Sequence, residues 1–205
     1  NEGDGTFTDV AVLAGLGRSF CTMGAGVGDV DNDGSPDLYL ANGGPEMSRM
    51  EPNVLFLQRG DGTFADVTQA AGVGNLGKGH GATFADYDAD GDVDLYAGLG
   101  GHYNADVWPN ALYRNDGPTG ASLAIRAMVG HRDAIGARIA VHAGEQVVRA
   151  QIASGFGFGS TNAPPAVAGL GSAAAESIVI VWPDGRRQAW SDVPASGHLT
   201  LRQDR

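Results

Sequence analysis

A chain of 205 residues with a formal net charge of -11 and a pI near 4.6 is long enough for one large or two small domains. Its acidity argues against nucleic acid or an anionic membrane surface as a partner. The single cysteine, Cys21, excludes an internal disulfide, and no apolar run approaches the ~18 residues of a membrane span.

Thirty-three glycines and few aromatics favour short strands joined by turns, hence an all-β fold. The chain opens at Asn1 with neither Met nor a signal peptide, which is the start expected of a processed or truncated protein. From there it runs as two copies of one unit, 1–57 and 58–114, aligned without a gap. Gly3-Asp4-Gly5-Thr6-Phe7 recurs as Gly60-Asp61-Gly62-Thr63-Phe64, and Pro52-Asn53 with Leu55 recurs as Pro109-Asn110 with Leu112. Each unit holds four strand signals, in the first copy near 6–10, 26–30, 38–41 and 54–57. A third copy opens at Asn115-Asp116-Gly117 and stops at Pro118.

Between the second and third strand signals lies an acidic nonapeptide. The first copy places Asp29, Asp31, Asp33 and Asp37 at positions one, three, five and nine, with Gly34 at six. The second places Asp86, Asp88, Asp90 and Asp94 there, with Gly91 at six. Four like charges on nine residues repel unless a cation sits among them. Hard oxygen ligands in this number suit Ca²⁺, whereas Mg²⁺ prefers fewer carboxylates and more water. The residue after the glycine, Ser35 or Asp92, is expected to offer its main-chain carbonyl. Two Ca²⁺ ions would offset about half of the eight charges at these positions. A pair of plain acidic turns is the simpler alternative, and the repetition of every acidic position weighs against it. An EF-hand fits less well, because its twelfth place needs a bidentate Glu and holds Leu40 and Ala97 here.

On these residues the first 114 positions resemble the FG-GAP/VCBS family of Ca²⁺-loop β-propeller blades. The resemblance implies side-chain ligation by the eight aspartates and carbonyl ligation by Ser35 and Asp92. It also implies an incomplete propeller, since two blades leave open sheet edges that invite another chain. Either the chain is the C-terminal fragment of a longer propeller, or a protein partner or further copies of the chain are expected to cover them.

Residues 119–205 change character. Apolar strand patterns fall at 123–129, 138–142, 146–151, 177–182, 187–190 and 198–201, and Trp182-Pro183-Asp184-Gly185-Arg186 reads as a hairpin tip. A small β-sandwich of six or seven strands is expected. Through 132–138, Leu170-Gly171 and 181–185 this part resembles the ASPIC/UnbV domain. The domains are thus set at 1–118 and 119–205.

Other motifs carry less. Arg59-Gly60-Asp61 serves the turn of the repeat, because the first copy has Glu2-Gly3-Asp4 there. The five histidines lack metal-ligand spacing and read as surface or loop residues. Cys21 reads as a small buried residue. The cluster at 102–106 differs from its counterpart at 45–49 and is a candidate contact loop. Gly155 to Ser160 lacks the Lys-Ser/Thr of a phosphate loop and suggests a close backbone approach or a flexible contact loop with two exposed phenylalanines. No nucleophile motif is present. The expected function is a non-catalytic, calcium-stabilised interaction or assembly module working outside the cytoplasm: extracellular, periplasmic or at the cell surface. Alternatives are a calcium-dependent glycan-binding module using Tyr103, Trp108 or Trp190, or an accessory subunit of a larger enzyme complex.

Overall fold

The computed structural model describes residues 1–44, 46, 50–101, 104, 107–117 and 120–204. Among them every regular element is a strand, and the fold is all-β in several sheets, none closed into a barrel. The candidate contact loop at 102–106, apart from residue 104, and most of its counterpart at 45–49 lie outside the described residues. No helix of the described residues is long and apolar enough to cross a membrane.

The first sheet runs β1 (Thr22–Gly28), β2 (Asp37–Asn42), β3 (Val54–Gln58), β4 (Phe64–Asp66), each antiparallel to the next. The second contains β5 (Gly79–Ala85), β6 (Asp94–Leu99) and β7 (Ala111–Tyr113). Both have the meander of a propeller-type blade, but the sheet boundary does not follow the sequence period. Strand β4 belongs to the second sequence copy and closes the sheet of the first. Its counterpart, the strand expected near 6–10, is not a strand and joins none of the sheets of the described residues.

The blades stack face to face because β1 carries glycine at alternate positions. A Cβ at Gly28 would lie 2.6 Å from the Phe84 ring, and one at Gly26 3.0 Å from the Ala82 Cβ. Phe84 can therefore lie directly on the β1 backbone, and with Tyr39, Leu55, Ala82, Leu95 and Ala97 it forms the inter-blade core.

The C-terminal part builds a second core between two sheets. One is β11 (Gln146–Gln151), β10 (Arg138–Ala143), β13 (Ser177–Val181), β14 (Arg187–Trp190). The other is β12 (Ala166–Gly171), β8 (Ala121–Val129), β15 (Gly197–Arg202), with β9 (Arg132–Asp133) on β8. The alternation of β10 and β13 sends Ile139, Val141, Ile178 and Ile180 inward onto Leu123, Ile125, Leu170 and Trp182. Strand β12 and the two-residue β9 were not anticipated, because Ala-Val-Ala-Gly-Leu-Gly lacks the β-branched alternation that marks its neighbours. The 182–186 tip is a hairpin turn as expected, with Trp182 N–H donating to Arg186 O at 2.8 Å and Gly185 at a φ of 86°.

Gly24→Ala tests the blade stacking, because its Cβ would be forced into the His80 carbonyl. We expect a loss of about 1–3 kcal/mol in urea unfolding, against roughly 0.5 kcal/mol or less for Gly60→Ala, which meets nothing within 4 Å.

Candidate metal centres

Each acidic nonapeptide is the β1–β2 or β5–β6 connection, and the two turns have the same backbone. Position four is left-handed in both, at Asn32 (φ 56°) and Ala89 (φ 63°), as is position six at Gly34 (φ 92°) and Gly91 (φ 101°). Gly34 N–H donates to Asp29 Oδ2 at 2.9 Å, and Gly91 N–H to Asp86 Oδ2 at 3.2 Å. The ninth-position acids anchor the turns. Asp37 accepts N–H bonds from Val30 and Gln58, and Asp94 accepts them from Tyr87 and Asn115, all at 2.8–2.9 Å.

This wrapping draws Asp29, Asp31 and Asp37 together in the first turn and Asp86, Asp88 and Asp94 in the second, one carboxylate oxygen of each within 4.8 Å of the others. Asp33 and Asp90 sit in the same turns outside these groups of three, their Oδ1 atoms accepting N–H bonds from Ser35 (2.7 Å) and Asp92 (3.2 Å). For Ser35 and Asp92 it is thus the N–H that is engaged within the turn. The donor set fits a hard cation. The Asp86 side chain is fully buried, and its Oδ1 has no hydrogen-bond partner, a costly state for a carboxylate oxygen unless a positive charge faces it. Burial pushes the Asp37 carboxyl up to about 7 and Asp29 up to about 6, against the N–H bonds that lower both. Burial, followed by the Asp90 side chain, raises Asp92 to about 7. Asp31 is raised by burial and then by the Asp33 charge. A cation would reverse the sense of these shifts.

The sequence did not reveal that the turns meet each other and the C-terminal sheets. Asn32 is buried, and its Nδ2 donates to Gly91 O of the other turn and to Gly120 O. Asn115 Nδ2 donates to Val30 O at 2.7 Å, and Ser122 Oγ to Gly91 O. The main chain adds Gly120 N–H to Asp31 O (3.0 Å) and Gly171 N–H to Asn32 O (2.7 Å). His198 Nε2 stands 3.5 Å from Asp86 Oδ2. It lies on β15, as His80 lies on β5 and His142 on β10, so these three are strand residues and not loop residues.

The remaining candidates fall elsewhere. Asp61 of the Arg-Gly-Asp tripeptide accepts from Thr63 N–H and Oγ1, closing its own turn. Trp190 meets Trp182 edge to face at 6.4 Å and packs on the sandwich core. Cys21 is half-buried. Tyr103 lies outside the described residues. Gly157 does make the expected close approach, a Cβ there falling 2.4 Å from Ala25 O. Beside it, a cavity of about 800 Å³ opens between the blades and the sandwich, with Arg138, Arg149, Arg187 and Phe156 among its walls.

Comparison with known proteins agrees with the two halves seen here. Residues 29–97 match the FG-GAP-like repeat and residues 129–205 match ASPIC and UnbV. The chain therefore joins a stretch that matches the FG-GAP-like repeat to a stretch that matches ASPIC and UnbV. It is similar to cartilage acidic protein 1 of Homo sapiens, 36% identical over 106 residues, and of Xenopus tropicalis, 34% identical over 92. These alignments cover 51% and 44% of this chain but only 14% and 13% of those proteins.

The raised carboxyls set a pH dependence for the metal-free protein. Asp29, Asp37 and Asp92 hold protons more tightly folded than unfolded, where they titrate near 3.8. Between about 4 and 7 the folded chain is the more protonated state, so their contribution is full below that window and is lost as pH rises through it. The metal-depleted melting temperature should fall from pH 5 to pH 7, with a smaller fall in Asp29→Asn. An unchanged or rising value would contradict these environments.

Proposed function

We propose that the chain is a calcium-stabilised, non-catalytic interaction module working outside the cytoplasm. The observation that carries this reading is the unpartnered, fully buried Asp86 oxygen inside a trio of carboxylates that recurs one repeat earlier. Asp29, Asp31 and Asp37 would hold one Ca²⁺ and Asp86, Asp88 and Asp94 the other, with Asp33, Ser35, Asp90 and Asp92 completing the turns. Bound calcium supplies positive charge to acids that otherwise repel.

The consequence for the protein is linkage. An ion that binds only the folded turns adds RT ln(1 + [L]/Kd), roughly 1.4 kcal/mol per site at a tenfold excess. Extracellular modules often bind near 10⁻⁴–10⁻³ M, an affinity that would fill both sites in millimolar calcium and leave them empty in cytosol. The pairing of FG-GAP-like and ASPIC/UnbV parts likewise suggests an extracellular interaction module. Since Asn32, Asn115, Gly120 and Ser122 tie the turns to one another and to the sandwich, the ion would stabilise the whole assembly of lobes. Chelation should lower the melting temperature, and calcium should restore it. Asp29→Asn combined with Asp86→Asn should abolish that response, and a melt indifferent to chelator would refute the reading.

A second reading, a ligand-binding module, is favoured by the cavity between the lobes. Arg138, Arg149 and Arg187 share the outer face of one sheet, and Phe156 adds an apolar wall. Guanidinium groups suit carboxylate or sulfate on an acidic glycan. A glycan array probed with and without calcium distinguishes this reading from protein-only assembly. Retention of an acidic oligosaccharide that disappears in Arg138→Ala would support it, and no retention would dismiss it.

A further inference from the structure

The two acidic turns share a backbone, but their first-position aspartates do not have the same surroundings. Both oxygens of Asp29 are engaged, Oδ1 by Asp33 N–H at 3.1 Å and Oδ2 by Gly34 N–H at 2.9 Å. Its Oδ2 edge lies on the main chain of β12, where a Cβ at Gly169 would collide with it. Asp86 accepts one such bond, from Gly91 N–H to Oδ2 at 3.2 Å, and its Oδ1 accepts none. The Asp86 side chain is nevertheless withdrawn completely from water.

An imidazole meets Asp86 on the Oδ2 side. The alternation of β15 turns Leu199 and Leu201 onto the sandwich core, which sends His198 to the opposite face of its sheet. Strand β15 runs parallel to β8 with His198 opposite Ala124. Ala124 is buried, and Ser122, on the same side of β8, donates from Oγ to Gly91 O. This face of the sandwich is seated on the second turn, and it brings His198 Nε2 to 3.5 Å from Asp86 Oδ2. An ionised carboxylate accepts and cannot donate, so the ring nitrogen that faces it is the one bearing hydrogen.

We propose that His198 is a positioning residue of the second metal centre, supplied by the C-terminal half of the chain. Together with Gly91 N–H it occupies Oδ2, and it leaves the buried, unpartnered Oδ1 as the oxygen offered to the ion. At the corresponding edge of the first centre, Asp29 is braced by the main chain at Gly169. The two centres are therefore unequal, and only the second depends on an imidazole. This deepens the calcium reading and rests on it. Outer partners that orient a ligating carboxylate are typically worth about 10–100-fold in metal affinity, and a half-exposed ring at 3.5 Å belongs at the lower end of that range.

Calorimetric calcium titration of the chelator-treated full chain, with one centre disabled at a time, tests this. In Asp29→Asn, where the second centre alone binds, adding His198→Leu should weaken calcium roughly tenfold. Adding His198→Gln, which keeps a side-chain N–H at similar reach, should hold the affinity close to that of Asp29→Asn. In Asp86→Asn, where the first centre alone binds, His198→Leu should change nothing. An unaltered second centre in His198→Leu overturns the proposal and leaves the calcium reading standing. So does an equal loss in both backgrounds, which marks a general loosening of the fold, or an equal loss in His198→Gln. A native chain that takes up no calcium overturns both.

Discussion

Everything in this molecule converges on carboxylates that are surrounded by backbone N–H groups and withdrawn from water. A turn of nine residues carrying four aspartates repels itself. Here the repulsion is held in check by N–H bonds to Asp29, Asp37, Asp86 and Asp94, yet those bonds do not neutralise the charge. Burial first, and the neighbouring aspartates after it, raise the carboxyls of Asp29 and Asp37 despite those bonds. The folded chain is thereby poised to gain stability from a cation or, failing that, from protons.

The placement of the turns makes this a property of the whole chain. Both lie at one end of the blades, side by side, where β8 and β12 of the sandwich approach them. Gly169 and Gly120 admit that approach: a Cβ on the first would meet the Asp29 carboxylate and the Asn32 backbone, and one on the second would meet Asn32 O. Asn32 bridges three segments with one buried side chain, so the residue at position four of the turn joins the lobes and holds the left-handed backbone at the same time. This arrangement gives a physical meaning to the succession of FG-GAP-like and ASPIC/UnbV parts. The second half is seated on the acidic turns of the first.

Much of this was legible from residues alone. The acidic nonapeptides, the gapless period of 57 and the alternation in β10, β11 and β13 all reflect local geometry that the sequence must encode directly. What escaped is non-local. Nothing in Gly3 to Val10 says that it forms no strand here, because nearly the same letters at 60–67 contain β4, which pairs with β3. Asn32 and His198 are unremarkable as letters, and their roles arise only when residues 59 to 112 positions away fold against them. Strand β12 escaped for a different reason: its small residues are selected by close approach to the turns and not by strand propensity.

The central claim is that a divalent ion in the acidic turns secures the junction between the two lobes. Amide hydrogen exchange at Gly120 and Gly171, whose N–H groups donate to Asp31 O and Asn32 O, reads that junction directly. With millimolar calcium both amides should exchange far more slowly than after chelation, while Gly130, remote from the turns, should be indifferent. Equal exchange of Gly120 and Gly171 in the two conditions would show that no ion holds the lobes together.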